Sequence, residues 1–176
     1  MVENEWWVTE YGDPCRECGF VWSQSPESAI ALAEAVPGRL AGLLDGRWGD
    51  EAFPGATWSA KAYVFHVADN LRIFAERLEG VAAGASTTLA SYDQDELAAA
   101  RRYEQMSVES ALWSVRTATT EWASATRDAL SRHTEFLHEE RGPLTAAEVT
   151  RGPAHDAVHH CLDVARATGA VTPPGA

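Results

Sequence analysis

The sequence predicts an all-α protein, a four-helix bundle with an irregular N-terminal arm and a long crossover loop. Apolar residues repeat at alternating spacings of four and three over 60–78 and 111–129, which is the period of an amphipathic helix. No stretch alternates as a strand does. The length of 176 residues suits one domain.

The first 25 residues mix tryptophan, glycine and proline without a helical or strand period. We therefore predict that 1–25 is an extended arm rich in aromatic residues and cysteine, packed on the bundle. Ser25 is a good helix cap and Pro26 a good first helical residue, so the first helix should begin there. Pro37-Gly38 should kink or split that helix.

The second helix is predicted from the apolar period that begins at Ala60, after a glycine-rich loop over 46–55. The period is lost between Gly80 and Met106, apart from a short helix predicted over 94–103. A connection this long is often functional.

Ser107 should cap the third helix, which we expect to end near Gly142-Pro143. A fourth helix is predicted from about Gly152-Pro153 to Gly169, which places His155 in its first turn. The bundle then spans 26–170, and 171–176 forms a mobile tail.

The composition limits the classes of partner. Hydrophobic residues make up 45% of the chain and the net charge is -12. This acidic balance argues against nucleic acid, and no apolar stretch is long enough to span a membrane. An acidic N-terminus and an odd number of cysteines favour a cytoplasmic, reducing compartment. The charge disfavours self-association but does not exclude a homodimer through an apolar face.

Three of the six histidines lie close together on the predicted fourth helix. His155 and His159 are four residues apart and share one helical face, so both imidazoles can reach one ion, whereas His160 is turned by about 100°. His66 is the natural third ligand, since a catalytic metal usually has three protein ligands and an open position. The alternatives are a chance surface pair and, for His66, a hydrogen-bonded core residue.

Cys15-x-x-Cys18 has three interpretations: half of a zinc site, a redox pair, or two thiols in an aromatic arm. We favour the third, because no second cysteine pair and no βαβ context are present. The more specific alternatives are a metal site completed by ligands from another part of the chain, and a reactive thiol. By helical angle, Cys161 faces away from His155 and His159.

Carboxylates near the ion would carry protons or orient imidazoles. Asp69 follows His66 by three residues, and Asp163 follows His159 by four. Asp93 and Asp95 lie in the long crossover and would close over the site. The catalytic candidates are thus Asp69, Asp93 and Asp95, and the alternative for each is a solvated acid among 26.

These motifs together resemble the DinB/YfiT-like superfamily of metal-dependent enzymes, over Trp58 to Val164. The matching features are a tryptophan and histidine at the second helix, H-x-x-x-H on the last helix, and three elements typical of an actinobacterial branch. The matched segments are Trp58, His66, Cys15-Arg16-Glu17-Cys18-Gly19-Phe20, Tyr92-Asp93-Gln94-Asp95 and His155-Asp156-Ala157-Val158-His159-His160-Cys161-Leu162-Asp163-Val164.

The resemblance implies a four-helix bundle in which His66, His155 and His159 hold a divalent metal, zinc in preference to nickel. Many relatives use the second member of their doubled histidine as the ligand, which leaves His160 as an alternative to His159. Relatives also include isomerases and transferases that use the low-molecular-weight thiols mycothiol or bacillithiol.

Three hypotheses for function follow. The first is a metal-dependent enzyme acting on a small-molecule substrate, as a mycothiol-type transferase or isomerase or as a metal-assisted hydrolase. The second is a non-catalytic metal- or small-molecule-binding bundle. The third is an acidic interaction protein that docks through exposed Trp6 and Trp7.

Overall fold

The computed structural model describes residues 6–85, 88–139 and 141–171, without the side chain of Trp6. Within these ranges the chain forms six α-helices, one 3-10 turn (Tyr103–Gln105) and three short strands. The helices are α1 Trp6–Tyr11, α2 Pro26–Leu43, α3 Ala60–Ala82, α4 Gln94–Arg101, α5 Val108–Ser131 and α6 Ala146–Ala167. The strands are β1 Thr88–Leu89, β2 Glu135–His138 and β3 Gly142–Thr145.

The four long helices form the predicted bundle. Helix α2 packs against α5 and α6, and α3 packs against the same two helices, so the order around the bundle is α2, α5, α3, α6. The loop over 44–59 therefore carries the chain across the bundle from α2 to α3. The all-α four-helix prediction is confirmed, and so is the long crossover between α3 and α5.

Local sequence explains where the helices begin. The hydroxyl of Ser25 accepts from the Ser28 amide at 3.1 Å, and that of Ser107 accepts from the Ser110 amide at 3.2 Å. Both residues cap helices as predicted. Helix α2 continues through Pro37 to Leu43, so the predicted split does not occur.

The region after α5 differs from the prediction. Helix α5 ends at Ser131, and residues 135–145 form β2 and β3, which pair antiparallel, while β1 pairs parallel with β2. Helix α6 begins at Ala146, where Thr145 and Glu148 form a capping box. The predicted end of the third helix and start of the fourth were wrong, and His155 lies well inside α6.

The N-terminal arm packs on the bundle but is not wholly extended, because it contains α1. Trp7 stacks on Trp22 with ring centroids 5.2 Å apart, and the Arg141 guanidinium lies 4.2 Å from the Trp7 ring centroid. The Arg151 guanidinium donates to the Gln24 carbonyl at 3.0 Å. Trp7 is thus partly buried against the body rather than displayed for a partner.

The crossover is fixed to α3 by buried polar contacts. The Tyr103 hydroxyl and the Arg101 guanidinium both donate to the carboxylate of Asp69, which is 3% exposed. Ser59 donates through its amide and hydroxyl to Glu104, at 3.1 and 2.6 Å.

The tail residues 172–176 lie outside the described ranges. None of the described helices combines the length and apolar character needed to cross a bilayer.

Candidate metal centre

A cavity of about 490 Å³ opens between α3, α6, the arm and the crossover. Its polar wall comes from α3 and α6, which contribute His66, Asn70, His155, Asp156, His159 and His160. Tyr11 of the arm and Tyr92 of the crossover line the other sides. Five of these side chains, four histidines and one aspartate, are of types that bind metal ions. The cavity is therefore the candidate functional site.

The first group of ligand atoms belongs to His66, Asp156 and His160, which we call the cavity cluster. All three lie within 4.8 Å of one another. Nε2 of His66 is 3.4 Å from Oδ2 of Asp156, and Nε2 of His160 is 3.4 Å from Oδ1 of the same carboxylate. Asp156 and His160 share a face of α6 because they are four residues apart. The packing of α3 on α6 then brings His66 to the pair.

Aromatic rings hold the two imidazoles in place. Trp58 packs against His66 with ring centroids 4.9 Å apart, and Tyr63 stacks on His160 at 5.2 Å. The tryptophan that the resemblance matched before the second helix therefore touches the cavity cluster directly. Its contact restricts the orientation of the His66 ring.

A second layer of polar groups supports the cluster. Nδ1 of His160 is 2.9 Å from Oδ2 of Asp163, which leaves Nε2 facing Asp156. The Asn70 amide donates to Oδ2 of Asp156 at 2.6 Å, and the Tyr92 hydroxyl donates to the Asn70 carbonyl oxygen at 3.2 Å. A carboxylate behind a histidine is the usual support of a metal ligand.

The charges in the cluster reinforce one another. Burial works against ionisation of Asp156, but His66 and His160 outweigh it and hold the pKa of Asp156 well below its usual range. Burial likewise opposes protonation of His160, yet Asp156 and Asp163 raise the pKa of His160 to about 9. The carboxylate of Asp156 is therefore anionic, and His160 would have to release a proton in order to bind a metal ion.

The cluster also contains an unsatisfied atom. Among the described residues, no group makes a well-aligned hydrogen bond with the buried Nε2 of His66, although Oδ2 of Asp156 lies 3.4 Å from it. Leaving a buried polar atom unpaired costs about 1–3 kcal/mol, which a ligand at that atom would remove. Two imidazoles and a carboxylate form a donor set that suits zinc and similar divalent ions, with positions left for substrate or water. The residues therefore fit a catalytic metal.

The second group comprises Cys15, Cys18, His155 and His159, which we call the arm cluster. Its ligand atoms also lie within 4.8 Å of one another, and Sγ of Cys15 is 3.8 Å from Nδ1 of His159. Burial, with help from His159, lowers the pKa of His155 to about 4, and burial lowers the pKa of His159 as well. Both rings are therefore neutral at neutral pH, the form in which imidazole binds metal.

The structure thus divides the three predicted ligands between two clusters. His155 and His159 come together as their spacing predicts, but with the cysteines of the arm. His66 instead contacts Asp156 and His160, which follow His155 and His159 by one residue each along α6. Sequence reasoning passed over Asp156 as a ligand, although its spacing to His160 repeats that of His155 and His159.

The three predicted catalytic acids lie elsewhere. Asp69 binds Tyr103 and Arg101 on the crossover. The Asp93 carboxylate caps α4 by accepting from the amides of Asp95 and Glu96, both at 2.9 Å. Asp95 is exposed in the first turn of that helix. Asp163, predicted to orient His159, orients His160 instead.

Known structures share the fold of this chain. Two solved structures match the chain over four-fifths of its length with TM-scores of 0.61, which shows that this chain has the same four-helix-bundle fold as these structures, as the resemblance implied. No protein-family model matches the sequence. Nor does any curated protein sequence match it.

The first of these structures is YfiT from Bacillus subtilis, described as a probable metal-dependent hydrolase with an unusual four-helix bundle topology. It is 17% identical, and the match covers 82% of this chain and 87% of YfiT. The second is a mycothiol-dependent maleylpyruvate isomerase, 15% identical, with coverage of 80% of this chain. This chain spans 61% of the isomerase's length. At these identities the likeness shows the fold alone.

Proposed function

We propose that this protein is a metal-dependent enzyme whose divalent ion is held by His66, Asp156 and His160 at the wall of the cavity. The observation that carries the proposal is the convergence of two imidazoles and an ionised carboxylate, whose ligand atoms lie within 4.8 Å of one another. Two relatives in fold, one described as a probable metal-dependent hydrolase and one as a mycothiol-dependent isomerase, support the same class.

The donor set favours zinc, with nickel as the second choice, because imidazole and carboxylate ligands suit both ions. When bound, such an ion would polarise a carbonyl or lower the pKa of a coordinated water or thiol. Asp163 holds the His160 ring so that Nε2 points at the site, and Asn70 fixes the Asp156 carboxylate. The chain's own residues thus preorganise the ligands and leave the cavity side for substrate.

The remaining cavity wall favours a substrate that carries negative charge. Among the described residues that line the cavity, Arg77 and Arg141 are basic and Asp156 alone is acidic. The chain as a whole, by contrast, has a net charge of -12. The Arg77 guanidinium lies over the rings of Phe74 and Tyr92, at 5.3 and 5.6 Å from their centroids. This packing holds a cation where it can meet a substrate carboxylate.

We further propose transfer or isomerisation that depends on a low-molecular-weight thiol of the mycothiol type, with metal-assisted hydrolysis as the alternative. A cavity of about 490 Å³ can hold both a thiol and a small electrophile. Two observations support this reaction class: the isomerase that shares the fold is mycothiol-dependent, and the cavity cluster can hold an ion that binds a thiolate.

The first experiment measures metal content in untagged protein and in the variants His66→Ala, Asp156→Ala and His159→Ala. We expect the first two to lose the ion whose neighbours are nitrogen and oxygen only, as read by X-ray absorption, and His159→Ala to retain that ion. Loss of that ion in His66→Ala and His159→Ala but not in Asp156→Ala would instead support the ligand set His66, His155 and His159. If wild type takes up no ion that depends on His66, the binding-protein hypothesis replaces the enzyme.

The reaction class is tested by turnover of maleylpyruvate and of simple esters, each with and without mycothiol. Turnover of maleylpyruvate that requires both mycothiol and His66 would support the thiol-dependent reaction. Ester hydrolysis that needs the ion but not the thiol would favour the hydrolase.

A further inference from the structure

The arm cluster is a complete set of metal ligands that the proposed enzyme does not use. Cys15 and Cys18 come from the arm, and His155 and His159 come from α6. Two thiolates and two imidazoles in tetrahedral arrangement form one of the standard structural zinc sites, and a spacing of two residues between the cysteines is usual in them. We propose that these four residues bind a second, structural zinc ion that fastens the arm to the bundle.

One sulfur–nitrogen distance in the arm cluster is close to that of a zinc-loaded site. Bond lengths of about 2.3 Å for Zn–S and about 2.0–2.1 Å for Zn–N place sulfur and nitrogen about 3.6 Å apart around a tetrahedral ion. Sγ of Cys15 and Nδ1 of His159 are 3.8 Å apart. Both cysteines are free thiols, so their sulfurs are available to the ion.

The local fold of the arm positions the sulfurs. The Cys15 carbonyl accepts from the Gly19 amide at 2.9 Å, and the Cys15 amide donates to the Phe20 carbonyl at 2.8 Å. Gly19 has a φ of +74°, a conformation that glycine adopts without strain. The turn therefore closes on itself and directs Cys15 and Cys18 toward the same point.

His155 provides the independent evidence for a ligand. Its side chain is 3% exposed, and among the described residues its Nε2 is buried without a hydrogen-bond partner. The rings of Tyr11, Phe20 and Trp22 surround it, with centroids 4.6, 5.4 and 4.5 Å from the imidazole. The aromatic rings limit the access of water to this nitrogen, and a metal ion is a partner that it could share with the neighbouring thiols and imidazole.

The charge and coordination number define the role of this ion. Two thiolates neutralise Zn²⁺, which makes the ion acceptable at a mostly buried position. Four protein ligands fill a tetrahedral shell, so the arm cluster leaves no position for substrate and is structural, whereas the cavity cluster has three ligands. Zinc at such sites contributes directly to folding, and here it would hold the arm against α6.

The test is X-ray absorption spectroscopy at the zinc edge on untagged protein purified under reducing conditions with zinc. Wild type should show a sulfur shell at about 2.3 Å. The double variant Cys15→Ser/Cys18→Ser should lose that shell and one zinc per chain. Cys161→Ser is the matched control, because Cys161 is a buried cysteine on the same helix as the two histidines. This variant should keep both the sulfur shell and the full zinc content.

A wild-type spectrum with nitrogen and oxygen neighbours only would overturn the inference, whatever the variants do. So would a double variant that retains its full zinc content, or loss of the sulfur shell in Cys161→Ser. The proposed function is judged separately by the zinc that depends on His66. In His66→Ala the remaining zinc should show two sulfur neighbours per ion.

Discussion

Replacing Asp69 with alanine should lower the free energy of unfolding by about 2–3 kcal/mol and leave the metal content unchanged. The carboxylate is 3% exposed and accepts hydrogen bonds from Tyr103 and Arg101. These contacts fasten the crossover to α3. A catalytic role, which its position after His66 suggested, would give the opposite result: stable protein with impaired metal binding or turnover.

The magnitude follows from the two partners on the crossover, since the third, Arg72 of α3, is 3.4 Å from the carboxylate and its side chain is 39% exposed, so solvent screens that pair. The Tyr103 hydroxyl belongs to a residue that is 2% exposed, and leaving it without an acceptor costs about 1–3 kcal/mol. The Arg101 side chain is 35% exposed, so solvent screens its ion pair and the loss there is about 0–1 kcal/mol. The tyrosine should therefore account for most of the effect.

Urea unfolding of a double-mutant cycle provides the assay. Tyr103→Phe alone should cost about 1–2 kcal/mol, and the coupling between Asp69→Ala and Tyr103→Phe should be about 1 kcal/mol or more. Asp45→Ala, at an exposed acid after α2, is the control and should stay within about 0.5 kcal/mol of wild type. Additive effects of the two substitutions, or an Asp69→Ala protein of wild-type stability that has lost its ion, would refute the reasoning.

Two further predictions concern a supporting carboxylate and a close backbone approach. Asp163→Asn should weaken metal binding at the cavity cluster by about 10–100-fold, because Asp163 orients His160, and unchanged affinity in a chelator competition would contradict that role. Gly49→Ala should cost about 2–4 kcal/mol in urea unfolding, because a Cβ at φ +76° would lie 2.6 Å from Val108 Cγ2. Gly55→Ala, at φ +85° with nothing within 4 Å of the added Cβ, should cost only about 1 kcal/mol, and equal losses at both glycines would exclude the steric explanation.

Much of the bundle could be predicted because its determinants are local. The caps Ser25 and Ser107 and the apolar period from Ala60 onward act within a few residues, so they operate whatever the rest of the chain does. The sheet could not be predicted in the same way. Strand β2 is four residues long and depends on β1, some fifty residues earlier, for one of its neighbours. A strand of four residues is too short to show a clear apolar alternation, so its pairing with a distant strand is not visible in the sequence.

The candidate site was predictable in its residue types but not in its grouping. The i,i+4 spacing predicts that the imidazoles of His155 and His159 lie close together, and their ring centroids are 5.2 Å apart in the structure. Which third and fourth ligands they meet depends on the path of the arm, which no periodicity records. By helical angle His66 lies off the main apolar stripe, yet all residues from Ala60 to Leu71 are buried, because α3 packs on both α5 and α6. The flank of α3 is therefore an interior surface.

Helix α6 carries two ligand pairs that differ by a single step of the chain, 155 with 159 and 156 with 160. Turning the helix by about 100° about its own axis would exchange them, and the pair of histidines would face α3 in place of Asp156 and His160. Either setting would present to α3 a pair of ligand-type residues with the same i,i+4 spacing. The aromatic rings around His155 and the thiols of the arm select one of them. The side chains that an ion in the cavity would meet therefore depend on contacts between α6 and a segment more than a hundred residues away in the chain.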